Sequence, residues 1–376
     1  MVTVVAVTGA DGFIGSHLMM RLALDERFAP VAVGRSDFKD AAALAELLTD
    51  VDAVVHLAGC NRGPADELYD INVALVDTLT AALLARDEPP HVLFASSVQR
   101  TNASPYGRSK LTGERRLEDW AIAQGAPLSI LEIPNVFGPG CRPYHNSVVA
   151  TFARELATGG EPKVHEDREL PLVYVGDLVD LVIDMIVDLQ QRSAQACVER
   201  PAIGPVCRRT VSQLRDDLAR YAEAYAGDRI LPTTRSRLDE LLHRTYLSHL
   251  PDEALRHAPM MHRDDRGFLV ECVRSEAGGQ VFFSMTRPGV VRGQHFHLHK
   301  LEKFCVVRGE AVIRLRGIGS DEVRELRVSG ERPEVVDVPV LDVHNIENVG
   351  DDELYAIFWA SEVFDPAAPD THREAV

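Results

Sequence analysis

An α/β domain built on a doubly wound parallel sheet, followed by an all-β domain, is the fold class that three observations predict. Short β-branched runs alternate with helix-period segments from Val2 to about Val187, a glycine-rich turn follows the first run directly, and the period changes to strand-like alternation beyond Pro251. The runs are VTVVAV, PVAVGR, DAVVHLAG and HVLFASS, and segments such as SHLMMRLALDE and NVALVDTLTAALLARD separate them. From Gln190 to about Leu250 the signal weakens, except for a helix TVSQLRDDLARYAEAYAG, opened by a capping box between Thr210 and Gln213 and closed by Gly227. The later strands are FLVECVR, QVFFSMT, KFCVVRG, AVIRLRG, EVRELRV, EVVDVP and ELYAIFWA, which Gly, Pro and Asp turns separate as in a barrel or sandwich. The domains are placed at residues 1–248 and 249–376.

Composition narrows the function. A chain of 376 residues can bury two cores, and its formal net charge of -17 argues against a nucleic-acid partner, whose phosphates call for clustered Lys and Arg. No apolar run reaches membrane-spanning length, and VTVVAV runs straight into the glycine turn as a strand does rather than a signal peptide. The six cysteines (Cys60, Cys141, Cys197, Cys207, Cys272, Cys305) lie far apart without CxxC pairs, so a reducing, cytoplasmic setting is expected.

The first run ends in TGADGFIG, with Gly9, Gly12 and Gly15 in the spacing TGxxGxxG ahead of a helix. Such a turn brings backbone close to a pyrophosphate, which sits on the free N–H groups of the helix start at Phe13 and Ile14. About twenty residues further on, where an acidic side chain would bond the ribose of NAD, GRSD presents Arg35 and Ser36. A cation there suits a 2′-phosphate, so NADPH is expected; Asp37 leaves NAD open, and a solvated Arg35 is the plain alternative. In YGRSK, Tyr106 and Lys110 stand four apart on one helix face, and Ser97 ends the strand before them. A free phenol titrates near ~10, and a neighbouring ammonium favours its ionised form, which eases proton exchange with a carbonyl or alcohol.

With HLAG at His56 to Gly59, these residues resemble the extended short-chain dehydrogenase/reductase family over roughly the first 245 positions. The resemblance implies a Rossmann-like fold in which Ser97 and Tyr106 hydrogen-bond the reacting oxygen, Tyr106 gives the proton and Lys110 holds the nicotinamide ribose. It places Leu57, Ala58, Gly59, Asn72 of DINVALV and Pro134 of PNVFGPG beside the cofactor, and Asn135, Asn146 and Arg168 beside the sugar nucleotide. One departure stands out. Where many relatives carry an arginine ahead of an FVYV-like strand, this chain reads LPLVYVGD, with Leu170 at that position and Arg168 nearby.

The later half carries GQHFHLHKLEKF. His295, His297 and Glu302 follow Gly289 in the pattern GxxxxxHxHxxxxExxxxxxG, which ends at Gly309, and PVLDVHNIEN adds His344 and Asn348. Residues two apart on a strand face the same way, so His295 and His297 project together; by the same parity His299 faces with them. Three imidazoles and a carboxylate suit a borderline divalent ion, zinc first, with iron, manganese or nickel also compatible. This double motif resembles the cupin (jelly-roll barrel) superfamily over the segment beyond Pro251, with Leu341 where the usual second motif has glycine. A metal-free cupin using a histidine as base is the rival reading; with metal present, Lys300 is the better base.

Joined, the halves resemble along essentially the whole chain the bifunctional capsular-polysaccharide enzymes of the CapF type. The shared segments include SSVQ, SPYGRSKLTGE, YHNSVVATF, TYLSHLP, MHRDDRGF, HNIEN and FDPAAPDT. That resemblance implies action on a UDP-linked 4-keto-6-deoxy sugar, a 2-acetamido-2,6-dideoxy-4-hexulose on the way to UDP-N-acetyl-L-fucosamine; a homodimer is expected because cupins commonly pair through edge strands. The cupin inverts C3, and the reductase domain then reduces the C4 ketone. A cupin that serves only for dimerisation, with His295, His297, Glu302 and His344 as a structural metal site, stays open, and so do two other readings. One is an NAD-retaining 4-epimerase or 4,6-dehydratase with an accessory cupin, although Val98 and Gln99 replace the Asp-Glu pair of dehydratases; the other is a non-catalytic sugar-nucleotide sensor, which intact Ser97, Tyr106 and Lys110 disfavour.

Overall fold

The computed structural model describes residues 2–84, 86–191, 197–204, 207–227, 230–258, 261–264, 267–270, 274–275, 280–362 and 367–376. It divides into two compact units: Met1–Phe137 with Glu169–Arg209, and Gly138–Arg168 with Thr210–Val376.

The first unit is the predicted α/β layer structure. Its elements are β1 (Thr3–Thr8), α1 (Phe13–Ala23), β2 (Phe28–Val33), α2 (Ala41–Leu47), β3 (Ala53–His56), α3 (Ala65–Leu83), β4 (His91–Ser97), α4 (Pro105–Gln124), β5 (Leu128–Ile133), β6 (Asn135–Phe137), β7 (Glu169–Tyr174), α5 (Val175–Gln191), β8 (Val198–Glu199) and β9 (Cys207–Thr210). Six strands form a parallel sheet in the order β2-β1-β3-β4-β5-β8, and β6, β7 and β9 make a separate small sheet. The strands read as unbroken apolar runs because both faces are covered. Val5, Val7, Val55, Leu93 and Leu131 pack against α1 and α5, while Ala6, Val54, Val92, Phe94 and Ile130 pack against α2, α3 and α4. Chain direction across the sheet reverses between β1 and β3, so the TGADGFIG turn and the HLAG loop leave neighbouring strand ends at a topological switch point, where such sheets bind ligands.

The second unit holds helices Val148–Ala157, Val211–Ala226 and Arg237–Leu247 and a strand-rich region. The Thr210–Gln213 capping box is present, and that helix ends at Gly227. Two antiparallel five-stranded sheets follow. One runs Arg256–His257, Val335–Val338, Glu302–Arg308, Leu354–Ala360, Gln280–Thr286; the other Val323–Ser329, Glu310–Gly317, Asp342–Asn348, Val291–Phe296, His372–Arg373. Six of the seven strand runs expected beyond Pro251 are strands; of FLVECVR only the Phe268–Val270 part and Arg274 lie among described residues, and Cys272 lies outside them. Within the stretch Gln190–Leu250, weak in sequence apart from the capped helix, a further helix Arg237–Leu247 forms because Leu238, Leu241, Leu242 and Tyr246 are buried by tertiary packing that local propensity does not announce. Among the described residues no helix is long and apolar enough to cross a membrane.

Candidate functional site

The glycine turn is built as tightly as its spacing requires. Gly9 has φ +70°, and a Cβ at Gly15 would stand 2.1 Å from the Gly9 carbonyl oxygen, so α1 approaches the turn more closely than any side chain permits. Helix α1 begins after Gly12 with no side-chain cap, which leaves its first N–H groups, at Phe13 and Ile14 among them, for a ligand. Beside it, Leu57 N–H donates to the Thr8 carbonyl (3.3 Å) and Ala58 N–H to the Thr8 hydroxyl (3.1 Å), fixing the HLAG loop to β1. Arg35 is exposed past the end of β2. Asp37 turns inward instead: its carboxylate accepts from Gly34 N–H at 2.8 Å.

Ser97, Tyr106 and Lys110 are brought together by close approach of α4 to β4. Ser104 caps the helix, and at Gly107 a Cβ would meet the carbonyl oxygens of Gln99 at 2.4 Å and Asn102 at 2.6 Å, so the helix start rests directly on the turn after Ser97. Tyr106 hydrogen-bonds Ser97, and the Lys110 ammonium lies 5.8 Å from the Tyr106 ring centroid. Lys110 is buried and donates to the Ala95 carbonyl at 2.7 Å. Burial lowers it from 10.5 to about 8, with Glu114, one helical turn on, pulling the other way. The same burial pushes the Tyr106 phenol up, with the Ser97 hydrogen bond opposing. This differs from the depressed phenol that YxxxK spacing suggests: the ammonium points at a backbone carbonyl, and desolvation of the phenolate dominates.

Gly59 and Asn72 close the group from the other side. A Cβ at Gly59 would sit 3.4 Å from the Asn72 amide oxygen and 3.5 Å from the Lys110 ammonium. The Asn72 side chain accepts from Cys60 N–H (2.6 Å) and donates to the Cys60 carbonyl (2.8 Å) and Ser109 (3.0 Å), so it ties the loop to α4. Pro134 joins β5 to β6, and Asn135 donates to the Pro171 carbonyl at 3.1 Å. Leu170 is buried in β7, which explains why no gripping cation stands there. Asn146, with φ 61°, and the exposed Arg168 belong to the second unit. A feature missed in sequence is fully buried Glu114, which accepts from Ser96 and from Arg200 (2.9 Å), with Arg100 at 3.6 Å. The spacing Lys110 to Glu114 was the available signal.

In the second unit, His295, His297, Glu302 and His344 converge, each offering a donor atom within 4.8 Å of the others. The strand Val291–Phe296 carries a bulge at Gln294 (φ 60°), and a Cβ at Gly293 would meet the His344 carbonyl oxygen at 2.8 Å; this kink sets the facing of His295. The Nδ1 protons of His297 and His344 go to the carbonyls of Asp370 and Asp342. Their buried Nε2 atoms, without a hydrogen-bond partner among the described residues, therefore aim lone pairs at one Glu302 oxygen, at 3.2 and 3.1 Å. Lone pairs facing a carboxylate repel unless a proton or a cation lies between, so the donor set fits a divalent ion.

His299 does not join them. The strand ends at Phe296, parity lapses in the following turn, and the ring meets Arg244 (3.4 Å), which also pairs with Glu362 (3.1 Å). Lys300 is mostly buried, with its ammonium donating to the Pro369 carbonyl at 3.4 Å. Leu341 keeps the turn of the missing glycine by adopting φ 66° itself, with its N–H on the His297 carbonyl (3.0 Å). Asn348 locks the neighbouring turns through Thr286, Asp352 and Gly350.

Both halves of the chain match known families. Residues 5–196 match the NAD dependent epimerase/dehydratase family and residues 262–372 the polysaccharide biosynthesis C-terminal domain. Over 376 residues the chain is 34% identical to UDP-2-acetamido-2,6-beta-L-arabino-hexul-4-ose reductase of Pseudomonas aeruginosa, covering 99% of this chain and 98% of that one. A crystal structure of capsular polysaccharide assembling protein CapF from Staphylococcus aureus superposes with a TM-score of 0.61 at 35% identity over 100% of both chains. A UDP-glucose 4-epimerase from Thermotoga maritima, at 19% identity and TM-score 0.53 over 65% of this chain and 98% of its own, shares the fold alone.

Proposed function

The chain belongs to the NAD dependent epimerase/dehydratase family, in its CapF-like branch, and on that footing we propose that it inverts C3 and reduces C4 of a UDP-linked 2-acetamido-2,6-dideoxy-4-hexulose in polysaccharide biosynthesis. The observation that carries this reading is the presence, in one chain, of the Ser97–Tyr106–Lys110 group and the His295–His297–Glu302–His344 group. We assign reduction to a domain spanning 1–248 and inversion to a cupin barrel spanning 249–376. In this reading the active form is a homodimer.

Ser97 and Tyr106 hold the C4 oxygen, and Tyr106, kept protonated by burial, passes its hydroxyl proton to that oxygen as the carbonyl is reduced. Lys110, with Gly59 and Asn72 behind it, positions the nicotinamide ribose. NADPH, when bound, supplies the hydride equivalent for C4. Gly9, Gly12, Gly15, Leu57, Ala58 and Pro134 shape its cradle. The engagement of the Asp37 carboxylate with Gly34 N–H supports NADPH over NAD, because the exposed Arg35 beside it then remains for a 2′-phosphate. Asn135 in the first unit, and separately Asn146 and Arg168 in the second, are the proposed sugar-nucleotide contacts.

At the second group, Lys300 is the base that takes the C3 proton, which the adjacent C4 carbonyl acidifies, and a proton drawn from solvent is added on the opposite ring face. A divalent ion held by the three histidines and Glu302, zinc by preference, supplies positive charge against which the developing enolate is stabilised. Inversion alone is freely reversible; loss of the ketone at the first group makes it lasting.

Two measurements test this reading. In deuterated water with the 4-keto sugar nucleotide and NADPH, the product should carry one solvent deuteron at C3 as NADPH is consumed; His295→Ala should stop the exchange and spare NADPH oxidation. A product with C3 wholly unlabelled would sink the proposal. The pH dependence is the second. Lys110 acts as the ammonium, so kcat/KM should decline as pH rises through about 8. Stability runs the other way, since burying the charge burdens the fold below that pH and the burden lifts between about 8 and the ordinary 10.5.

A further inference from the structure

Four consecutive residues beside the histidine cluster hand a hydrogen-bond donor to one residue far along the chain. His297 donates through Nδ1 to the Asp370 carbonyl; the Asp370 carboxylate accepts from Leu298 N–H (2.9 Å), His299 N–H (2.8 Å) and Lys300 N–H (2.8 Å). Asp370 itself has φ 36°, in the left-handed region that aspartate tolerates better than most side chains. The segment after it is tied down as well. His372 and Arg373 pair with Phe296 and His295, His372 stacks on Phe296 at 5.2 Å, and Glu374 N–H donates to the Gln294 carbonyl at 3.0 Å. Arg316 anchors the same stretch through Glu374 (2.6 Å) and the Ala375 carbonyl (2.8 Å).

We propose that Asp370 is a positioning residue of the histidine centre, which sets the tautomer and tilt of the His297 ring and the course of the 297–300 turn without itself serving as a ligand. This rests on the metal reading above. A neutral imidazole coordinates through one nitrogen only when the other holds the proton, and a fixed acceptor for that proton also stops the ring rotating. Asp370 provides that acceptor from its main chain. Its carboxylate gathers the N–H groups of Leu298, His299 and Lys300, and these three bonds hold the Asp370 carbonyl against the His297 ring, so loss of the side chain frees a carbonyl that every substitution retains.

The test titrates Co²⁺ alone into metal-free full-length protein, following the visible absorption of the bound ion and competing it with a chelator. Asp370→Ala should weaken Co²⁺ binding ~10–100-fold and alter the spectrum. Asp370→Asn, which keeps an oxygen acceptor and tolerates the same φ, should recover part of the affinity. Melting temperature and NADPH binding should remain those of the wild type, which separates positioning from general unfolding. Wild-type affinity and spectrum in Asp370→Ala would overturn the proposal. Should the wild type itself fail to take Co²⁺, the metal reading falls, and ¹⁵N spectra of the histidine rings decide the matter: His297 should be locked with its proton on Nδ1 in the wild type and lose that lock in Asp370→Ala, and equal spectra would overturn it.

Discussion

Tyr106→Phe should lower kcat for NADPH oxidation by about 10²- to 10⁴-fold, the usual worth of a positioned general acid, while C3 exchange stays at its wild-type rate. The substitution isolates one proton. Phenylalanine keeps the ring that lies 5.8 Å from the Lys110 ammonium and the packing of α4 on the Ser97 turn, so the fold and the Lys110 position are retained. What disappears is the hydroxyl bonded to Ser97, which burial keeps protonated at neutral pH. Reduction must then leave an alkoxide in a half-buried site, with no donor of matched strength beside it. A fall of less than about tenfold would mean that another group, or water, delivers the proton.

Glu302→Gln should abolish useful metal affinity, with a loss of at least ~100-fold because even an outer partner of a ligand commonly costs 10–100-fold. The same variant should be at least as stable as the metal-free wild type. One Glu302 oxygen faces the Nε2 lone pairs of His297 and His344, at 3.2 and 3.1 Å, and their Nδ1 protons are already committed to backbone carbonyls. An amide nitrogen in that place donates where the carboxylate repels. C3 exchange should fall in parallel with bound Co²⁺, read by the same spectral titration, whereas reduction of a sugar nucleotide with C3 already inverted should persist. Undiminished affinity in Glu302→Gln would remove the carboxylate from the ligand set and favour histidine acting as a base alone.

Much of both groups was legible because their members lie close in sequence. TGADGFIG and YGRSK each place chemistry within one turn or helix face, where spacing alone dictates direction, and HFHLHKLE brings three members of the second group within eight residues. The doubly wound sheet followed for the same reason, from unbroken apolar runs flanked by helical periods. Legibility stopped where direction depends on something remote. His299 was assigned by a parity that holds only within a strand, and the strand stops at Phe296. The Tyr106 phenol was expected to be depressed by Lys110, but the ammonium turns to the Ala95 carbonyl and burial decides. Leu341 reads as a departure from the glycine of the usual motif, and it takes up the left-handed conformation itself, at φ 66°. Asp370 carries no spacing signal at all.

That last residue follows His297 by 73 positions, which has a bearing on how the molecule is born. Translation at ~5–20 residues per second delivers the whole parallel sheet, including the returning stretch to Arg209, well before Asp370 leaves the ribosome. A newborn chain can therefore complete its parallel sheet while the imidazoles still lack their orienting partner, so on the proposed reading the ion centre matures later than the dinucleotide site.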